Sequence, residues 1–139
     1  MPMRIQLIAK NKKAWHNYEL LDTFEAGLEL LGSEVKSLRN GRASLAEAYV
    51  KVRKGEAWLQ GAHIPPYDHA THENHKPKRH RKLLLGKREL RKLHQGTNEK
   101  GLTIVPLKLY FKGPWAKVEI ALGRGKKLHD KRQSLKQDQ

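Results

Sequence analysis

Alternating apolar and charged positions late in the chain predict a half-buried β-strand. Val118, Ile120 and Leu122 fall on one face of this strand, whereas Lys117 and Glu119 fall on the other. A strand of this kind packs its apolar face on a core and leaves its charged face exposed. The pattern therefore indicates a folded module with a charged surface.

The alternation stops at Gly123, where a lysine-rich segment begins. This segment has too few apolar residues to pack on a core of its own. We expect a folded domain with an N-terminal arm over residues 1–122, and a basic tail, disordered when alone, over residues 123–139. Such a module holds one partner and extends its tail toward another.

The stretch over residues 18–31 fits two periodicities. Every second position is apolar except Asp22, as in a strand, yet the leucines of the stretch also align on one face of a helix. Thr23 and Gly27 favour the strand, with Gly27 at a bulge or bend. The pattern alone leaves the helix open as an alternative.

The remaining predicted elements are short and separated by turn residues. Several antiparallel strands with two or three helices indicate a mostly β protein (α+β), and an OB-like closed antiparallel β-barrel with flanking helices would leave no sheet edge exposed. The elements are a helix over residues 33–39 capped by Ser33, a second helix beginning at Ser44, a hairpin over residues 49–59, an exposed loop over residues 68–82, a helix over residues 87–94 ending near Gly96, and a last hairpin with a bulge near Val105 and Pro106.

The composition points to a polyanionic partner. The formal net charge is +15 over 139 residues, and the pI is about 10.2. Charge this one-sided repels itself unless a polyanion neutralises it, so nucleic acid is the first candidate, ahead of an anionic membrane surface or a merely solvated surface. The absence of cysteine excludes disulfides. Apolar runs are too short for a membrane span or a signal peptide, so we expect a cytoplasmic protein with no membrane partner.

Basic residues concentrate in two blocks. Nine lysines and arginines lie between Lys76 and Lys92 with Glu89 as the single acid, and six lie over residues 123–139 with two aspartates. Fixed cations at this density bind a phosphate backbone and release its counterions, which gives affinity without sequence choice. The alternative interpretation is charge that only keeps the protein soluble.

Three histidines of the predicted loop raise the question of a metal. His69, His72 and His75 are evenly spaced, but in a loop flanked by prolines this spacing does not place them on one helical face, and no cysteine assists them. We therefore expect no metal site and leave the function of this loop unassigned.

Catalysis finds little support in the sequence. A ribonuclease would need a histidine pair as acid and base, for instance His63 with His94 or His129, and nothing in the sequence holds such a pair together. A Gly-rich phosphate loop and a nucleophile signature are both absent. We expect a binding protein without catalytic residues or cofactors.

One acidic residue stands out in the strand over residues 18–31. Glu25 lies between Phe24 and Ala26 in an otherwise apolar run. Such a glutamate usually marks the solvent side of a strand, but in a protein this basic it is also a candidate acceptor for base edges or a ribose 2′-hydroxyl.

Eight short motifs run in order through nearly the whole chain. They are Asn11–Ala14 (NKKA), Phe24–Gly27 (FEAG), Glu34–Arg39 (EVKSLR), His63–Tyr67 (HIPPY), Arg81–Leu85 (RKLLL), Pro106–Tyr110 (PLKLY), Lys117–Glu119 (KVE) and Gly125–Arg132 (GKKLHDKR). By these motifs the chain resembles the small protein B family, whose members bind transfer-messenger RNA in bacterial trans-translation.

The resemblance implies an OB-like barrel and assigns residues 18–31 to a strand. It also implies that the protein binds the tRNA-like domain of transfer-messenger RNA and delivers it to stalled ribosomes, in place of the anticodon arm that this RNA lacks. The tail would become ordered on the ribosome, in the decoding centre and mRNA channel formed by small-subunit rRNA. We expect a monomer with these partners; a generic rRNA-binding protein of the same fold is the alternative.

The resemblance also implies the site residues, position by position. His129 would stack on a base in the decoding centre, and Lys131 and Arg132 would neutralise phosphates there. Positions that match RNA-facing positions of the barrel are Asn11, His16, Glu25, Lys36, Arg39, Arg81, Leu84 and Lys117; those that match the base of the tail are Gly125, Lys126 and Lys127; and those that match the decoding-centre segment are His129, Asp130, Lys131 and Arg132.

Overall fold

Seven strands and three helices lie within the residues that the structure describes. The computed structural model describes residues 4–67 and 74–126. This set of strands and helices confirms the prediction of a mostly β protein with short helices. In chain order the elements are β1 (Ile5–Lys10), α1 (Lys12–Asn17), β2 (Tyr18–Leu28), α2 (Gly32–Arg39), β3 (Tyr49–Arg53), β4 (Glu56–Gln60), β5 (Arg81–Leu84), α3 (Lys87–Asn98), β6 (Thr103–Lys112) and β7 (Trp115–Gly125).

The strands form one antiparallel sheet in the order β1-β6-β7-β2-β5-β4-β3. The closed barrel of the sequence prediction is not found, because no hydrogen-bonded ladder joins β1 to β3 within residues 4–67 and 74–126. The sheet curls until β3 approaches β6. Since β6 already pairs with β1 on one side and β7 on the other, it has no backbone groups left to complete a ring.

The main core lies on the inner face of this curled sheet. Val118 and Ile120, which the alternation predicted to point inward, are fully buried there together with Leu109. A second, smaller apolar cluster lies on the opposite face, where Ala14 of α1 packs near Leu107. Helix α1 therefore covers one end of the outer side of the sheet and leaves the rest of that side to solvent.

Two strands change register along their length. In β6 the pairing shifts between Pro106 and Lys108, which confirms the bulge predicted near that point. In β2 it shifts between Leu20 and Thr23, whereas Gly27 pairs without a break in register. The bulge predicted at Gly27 was therefore wrong in position.

The sequence placed two helix starts incorrectly. Helix α2 is capped by the side chain of Glu34, whose Oε1 accepts a hydrogen bond of 2.8 Å from the backbone N–H of Leu31, and not by Ser33. No helix begins at Ser44: its backbone exchanges two hydrogen bonds with His63, of 2.9 and 3.0 Å, and the residues that follow form a single turn before β3, in which the Ala48 N–H donates to the Leu45 carbonyl at 3.0 Å.

Helix α3 continues past the glycine that was expected to end it. Gly96 is buried inside the helix, and a Cβ built on it would lie 2.8 Å from the methyl carbons of Leu122. The glycine thus serves the close packing of α3 on β7, because a larger residue would require the Leu122 side chain to shift.

The N-terminal arm contains two elements that the periodicity did not predict, β1 and α1. At the other end, β7 continues to Gly125, which pairs with Tyr18 at the start of β2. The strand thus extends three residues beyond the boundary expected after residue 122. The division of the chain into domain and tail stays a prediction.

Candidate RNA-binding interface

Strand pairing places a defined set of side chains on the outer face, by which we mean the side of β1, β6, β7, β2 and β5 opposite the main core. Directly paired residues of antiparallel strands point to the same side. Because Val118 and Leu109 point into the core, their neighbours along β7 and β6 point outward. Three paired rows result: Ile5, Lys112 and Trp115; Leu7, Tyr110, Lys117, Gly27 and Leu84; and Lys10, Lys108, Glu119 and Glu25.

Three of the predicted site residues meet on the outer face, namely Glu25, Lys117 and Leu84. Leu84 is 51% exposed, although a leucine in this position of a strand is usually buried. Gly27 lies between Leu84 and Lys117 in the middle row, and a Cβ built on it would lie 3.2 Å from the Cβ of Leu84. The Leu84 side chain therefore packs over the backbone of Gly27, in the space that a side chain at this position would need.

The Glu25 carboxylate is held by two side chains that extend from β6. The Tyr110 hydroxyl donates a hydrogen bond of 2.6 Å to Oε2, and the Lys112 Nζ lies 3.4 Å from Oε1. The Tyr110 hydrogen bond is the largest effect and lowers the pKa of Glu25. Burial is the second largest and raises this pKa, while the hydrogen bond and charge of Lys112 and the charge of Lys117 lower it further. Glu25 is therefore ionised at neutral pH and fixed in orientation.

Tyr110 was not among the predicted site residues. Burial and the neighbouring Glu25 carboxylate raise the pKa of its phenol, so that it remains a proton donor throughout the physiological pH range. The sequence did contain a signal for it: Leu109 and Phe111 are apolar and share one parity of the strand, so the alternation directs Tyr110 between them to the outer face.

Helix α1 brings together the predicted residues of the N-terminal arm and the base of the tail. The Asn11 side chain is 8% exposed and donates a 2.9 Å hydrogen bond to the carbonyl of Pro106, which fixes α1 on the β6 bulge. His16 lies in the same helix, and its Nδ1 is buried without a hydrogen-bond partner. Lys126 donates from its backbone to the Asn17 carbonyl, at 2.9 Å, and from Nζ to the Trp15 carbonyl, at 3.1 Å.

Helix α2 presents two predicted cations to solvent. The Lys36 Nζ lies 5.5 Å from the centroid of the Tyr67 ring, and the Arg39 guanidinium carbon lies 5.1 Å from the centroid of the Phe111 ring. Since Phe111 precedes Lys112 on β6, Arg39 lies near the end of the sheet where the β6–β7 turn is found. Both cations are exposed and available for phosphates.

Arg81 differs from the expectation of an RNA-facing residue, because its side chain is completely buried. Its guanidinium donates to the Glu34 carboxylate and to the carbonyls of Ala62, at 3.0 Å, and Pro77, at 3.1 Å. Glu34 is buried as well and also accepts a 2.6 Å hydrogen bond from Arg79. In this structure Arg81 fastens α2 to the sheet rather than facing a ligand.

The carboxyl of Glu34 remains charged despite its burial. Desolvation raises its pKa, but hydrogen bonds from Arg79, the Leu31 N–H and Arg81 outweigh this effect and hold the pKa below its ordinary value. The sequence indicated no such role for Glu34, because a glutamate in a short polar helix resembles a surface residue and its two arginine partners lie more than 40 positions away.

Several predicted residues lie outside the described ranges, namely Lys127, His129, Asp130, Lys131 and Arg132 of the tail and His69 and His72 of the loop. Of the three evenly spaced histidines, His75 is described. Its Nδ1 lies 2.8 Å from the Ser33 hydroxyl, and its Nε2 lies 2.8 Å from the Ile64 carbonyl. Both nitrogens are thus engaged, and residues 4–67 and 74–126 contain no group of side chains that would hold a metal.

A family model described as "SmpB protein" matches residues 8–139. The chain belongs to the SmpB family. Proteins named SsrA-binding protein are among its relatives: the one from Syntrophobacter fumaroxidans is 57% identical, over 96% of this chain and 83% of its own length, and the one from Bifidobacterium longum is 58% identical, over 96% and 85%.

A solved structure is similar to this SmpB chain in both sequence and fold. It is described as "tmRNA-SmpB: a journey to the center of the bacterial ribosome", and its matching chain is 42% identical with a TM-score of 0.72, over 97% of this chain and 95% of its own. These matches confirm the resemblance inferred from the eight motifs. SmpB proteins are RNA-binding proteins and not enzymes.

Among the helices of residues 4–67 and 74–126, none is both long and apolar enough to cross a membrane.

Proposed function

We propose that this SmpB protein binds the tRNA-like domain of transfer-messenger RNA on its outer face and delivers it to stalled ribosomes for trans-translation, in place of the missing anticodon arm. The names of its relatives, which refer to SsrA binding, and the structural neighbour solved as tmRNA-SmpB support this proposal. The protein acts in the cytoplasm as a monomer and needs no cofactor.

The observation that carries the proposal is the meeting of Glu25, Lys117 and Leu84 on one exposed face. Lys117 supplies a charge for a phosphate, and Glu25 supplies an oriented acceptor for a 2′-hydroxyl or an exocyclic amine. Leu84 offers an exposed apolar contact over the backbone of Gly27. A surface that binds RNA through positive charge alone would gain nothing from a fixed carboxylate, because that carboxylate repels phosphates.

The other predicted residues take different roles in the proposal. Lys36 and Arg39 contact phosphates from α2, and His16 contacts the RNA from α1. Asn11 and Arg81 act through the elements they fasten, because their side chains are buried. The curl that brings β3 toward β6 gives the sheet an OB-like shape without a complete ring of hydrogen bonds.

The tail has a separate task in this proposal. The RNA is held by the folded domain of residues 1–122 together with the base of the tail, namely Gly125, Lys126 and Lys127. The remainder of residues 123–139 enters the decoding centre and the mRNA channel, where His129, Asp130, Lys131 and Arg132 contact small-subunit rRNA.

The proposal is tested by titrating the protein against the tRNA-like domain, with ordinary tRNA and a duplex of equal length as competitors, at several salt concentrations. We expect the tRNA-like domain to bind most tightly and its preference to persist at high salt, because shape and the Glu25 contact do not depend on counterions. Equal binding of all three RNAs, with a salt slope of about −0.7 to −0.9 per phosphate, would favour a generic rRNA-binding protein.

A chain ending at Lys127 tests the division of labour in the same titration and in a peptide-transfer assay on stalled ribosomes. It keeps the base of the tail, with the hydrogen bond between Lys126 and Asn17, and should bind the tRNA-like domain as the full chain does, but it should not support peptide transfer. Loss of both activities together would contradict a separate task for the tail.

A further inference from the structure

An apolar patch occupies the end of the outer face near the β6–β7 turn. Ile5 is 62% exposed, Leu7 is 56% exposed and Trp115 is 61% exposed. Ile5 pairs with Lys112, and Lys112 pairs with Trp115, so the indole and the isoleucine lie in one row on either side of a lysine. Isolated exposed apolar residues are ordinary, but here three of them lie in neighbouring rows of one face, with Lys112 between Ile5 and Trp115.

Cations surround this patch. Lys112 lies within it, and Lys117 follows Trp115 by two positions on the same face. The nearest described carboxylate on this face, Glu25, is already engaged by Tyr110 and Lys112. A flat exposed aromatic ring among cations fits a ligand that combines a π face with negative charge, as a nucleotide does.

We propose that Trp115, supported by Ile5, is a stacking platform for one unpaired base of the RNA bound on the outer face. This inference rests on the proposed function and extends the interface beyond the residues that the sequence predicted. Paired neighbours lie about 5 Å apart, and second neighbours along a strand lie about 7 Å apart. A base on Trp115 therefore places its phosphate within reach of Lys112 or Lys117.

The experiment compares full-length W115F, W115L and W115A with the wild type in binding the tRNA-like domain at several salt concentrations. W115A should weaken binding about 5- to 150-fold without changing the salt slope, since no phosphate contact is lost. W115F should retain most of the affinity, and W115L should resemble W115A. Y49A is the matched control, because Tyr49 is an exposed aromatic residue on β3, away from this patch.

A second measurement identifies the contact itself. The indole N–H signal of Trp115 in an amide correlation spectrum is recognised by its loss in W115F, and it should shift when the tRNA-like domain is added. An unmoved indole signal, or W115L binding as tightly as the wild type, would overturn the stacking platform. Thermal unfolding of each variant verifies that it is folded.

The two proposals fail in different ways. If the wild type does not distinguish the tRNA-like domain from tRNA or duplex, the proposed function is wrong. If the wild type selects that domain and W115A selects it equally well, the function stands and the platform is wrong.

Discussion

Two glutamates of this protein are held by cations, yet they lie in opposite environments. Glu34 is fully buried and receives hydrogen bonds from Arg79 and Arg81. Glu25 is exposed on the outer face and is held by Tyr110 and Lys112. The pKa of each carboxyl is lowered, but desolvation is the largest single effect on Glu34 and must be outweighed by several hydrogen bonds, whereas the largest effect on Glu25 is the hydrogen bond from Tyr110.

The difference shows how one residue type serves stability in one place and binding in another. A buried pair that loses one partner leaves a charge in the protein interior, which is far more costly than the loss of an exposed pair. The exposed pair contributes little to folding, but it fixes the direction in which a ligand can approach its free lone pairs. The predictions below separate these two roles.

The largest effect is expected from Glu34→Gln. It leaves the Arg81 guanidinium buried without a countercharge, and we expect the free energy of unfolding to fall by about 3–5 kcal/mol, measured by urea denaturation. Because the pKa of Glu34 is lowered on folding, its stabilisation is present above the unfolded value, about 4.5, and is lost as the pH falls through the folded pKa. The free energy of unfolding of the variant should therefore lack the decrease that protonation of Glu34 causes in the wild type at low pH.

The double variant Glu34→Gln/Arg81→Met is the control for that prediction. It removes both charges and should recover part of the lost stability, because no unpaired ion remains in the core. If Glu34→Gln alone lowers the free energy of unfolding by less than about 1 kcal/mol, the buried pair is not coupled as its geometry indicates.

A smaller effect, on binding rather than on folding, is expected from Lys117→Glu. The affinity for the tRNA-like domain should fall about tenfold, and the salt slope should decrease by about one phosphate contact. The free energy of unfolding should change by at most about 0.5 kcal/mol, since Lys117 is at the surface. Isothermal titration and urea denaturation measure the two quantities.

Lys51→Glu changes the net charge by the same amount and serves as its control. Lys51 is exposed on β3, a strand that does not belong to the outer face. If both variants bind equally weakly, only the total charge matters, and Lys117 would have no place in the interface.

The smallest effect is expected from Tyr110→Phe. Loss of one hydrogen bond should lower the free energy of unfolding by about 0.5–1.5 kcal/mol and raise the pKa of Glu25, which can be followed by NMR titration of its carboxyl group. Affinity for the tRNA-like domain should fall a few-fold, because the carboxylate is no longer fixed. Tyr49→Phe is the control, and an unchanged Glu25 pKa would remove Tyr110 as a positioning residue.

Much of the outer face could be predicted from the sequence, because strand alternation is a local property. The alternation around Val118 determined the outward direction of Lys117, and the alternation around Phe24 did the same for Glu25. Leu84 came from the family resemblance alone, since three consecutive leucines give no indication of which one faces the solvent.

The buried network could not be predicted in the same way. Arg81 has Glu34 as its partner 47 positions away, and no local periodicity reports on a contact of that separation. Its strand, β5, has four residues, which is too short for alternation to distinguish the core side. Helix α1 was missed for a similar reason, because six residues do not establish a helical period.

The hydrogen bond between Lys126 and Asn17 has a consequence for the geometry of rescue. It anchors the last described residue of the chain beside α1. Arg132 follows Lys126 by six positions, and a fully extended chain spans at most about 3.6 Å per residue. If the tail contacts the decoding centre as proposed, the Cα of Arg132 can lie no more than about 22 Å from the Cα of Lys126, which limits the separation between the site that holds the RNA and the site that the tail contacts.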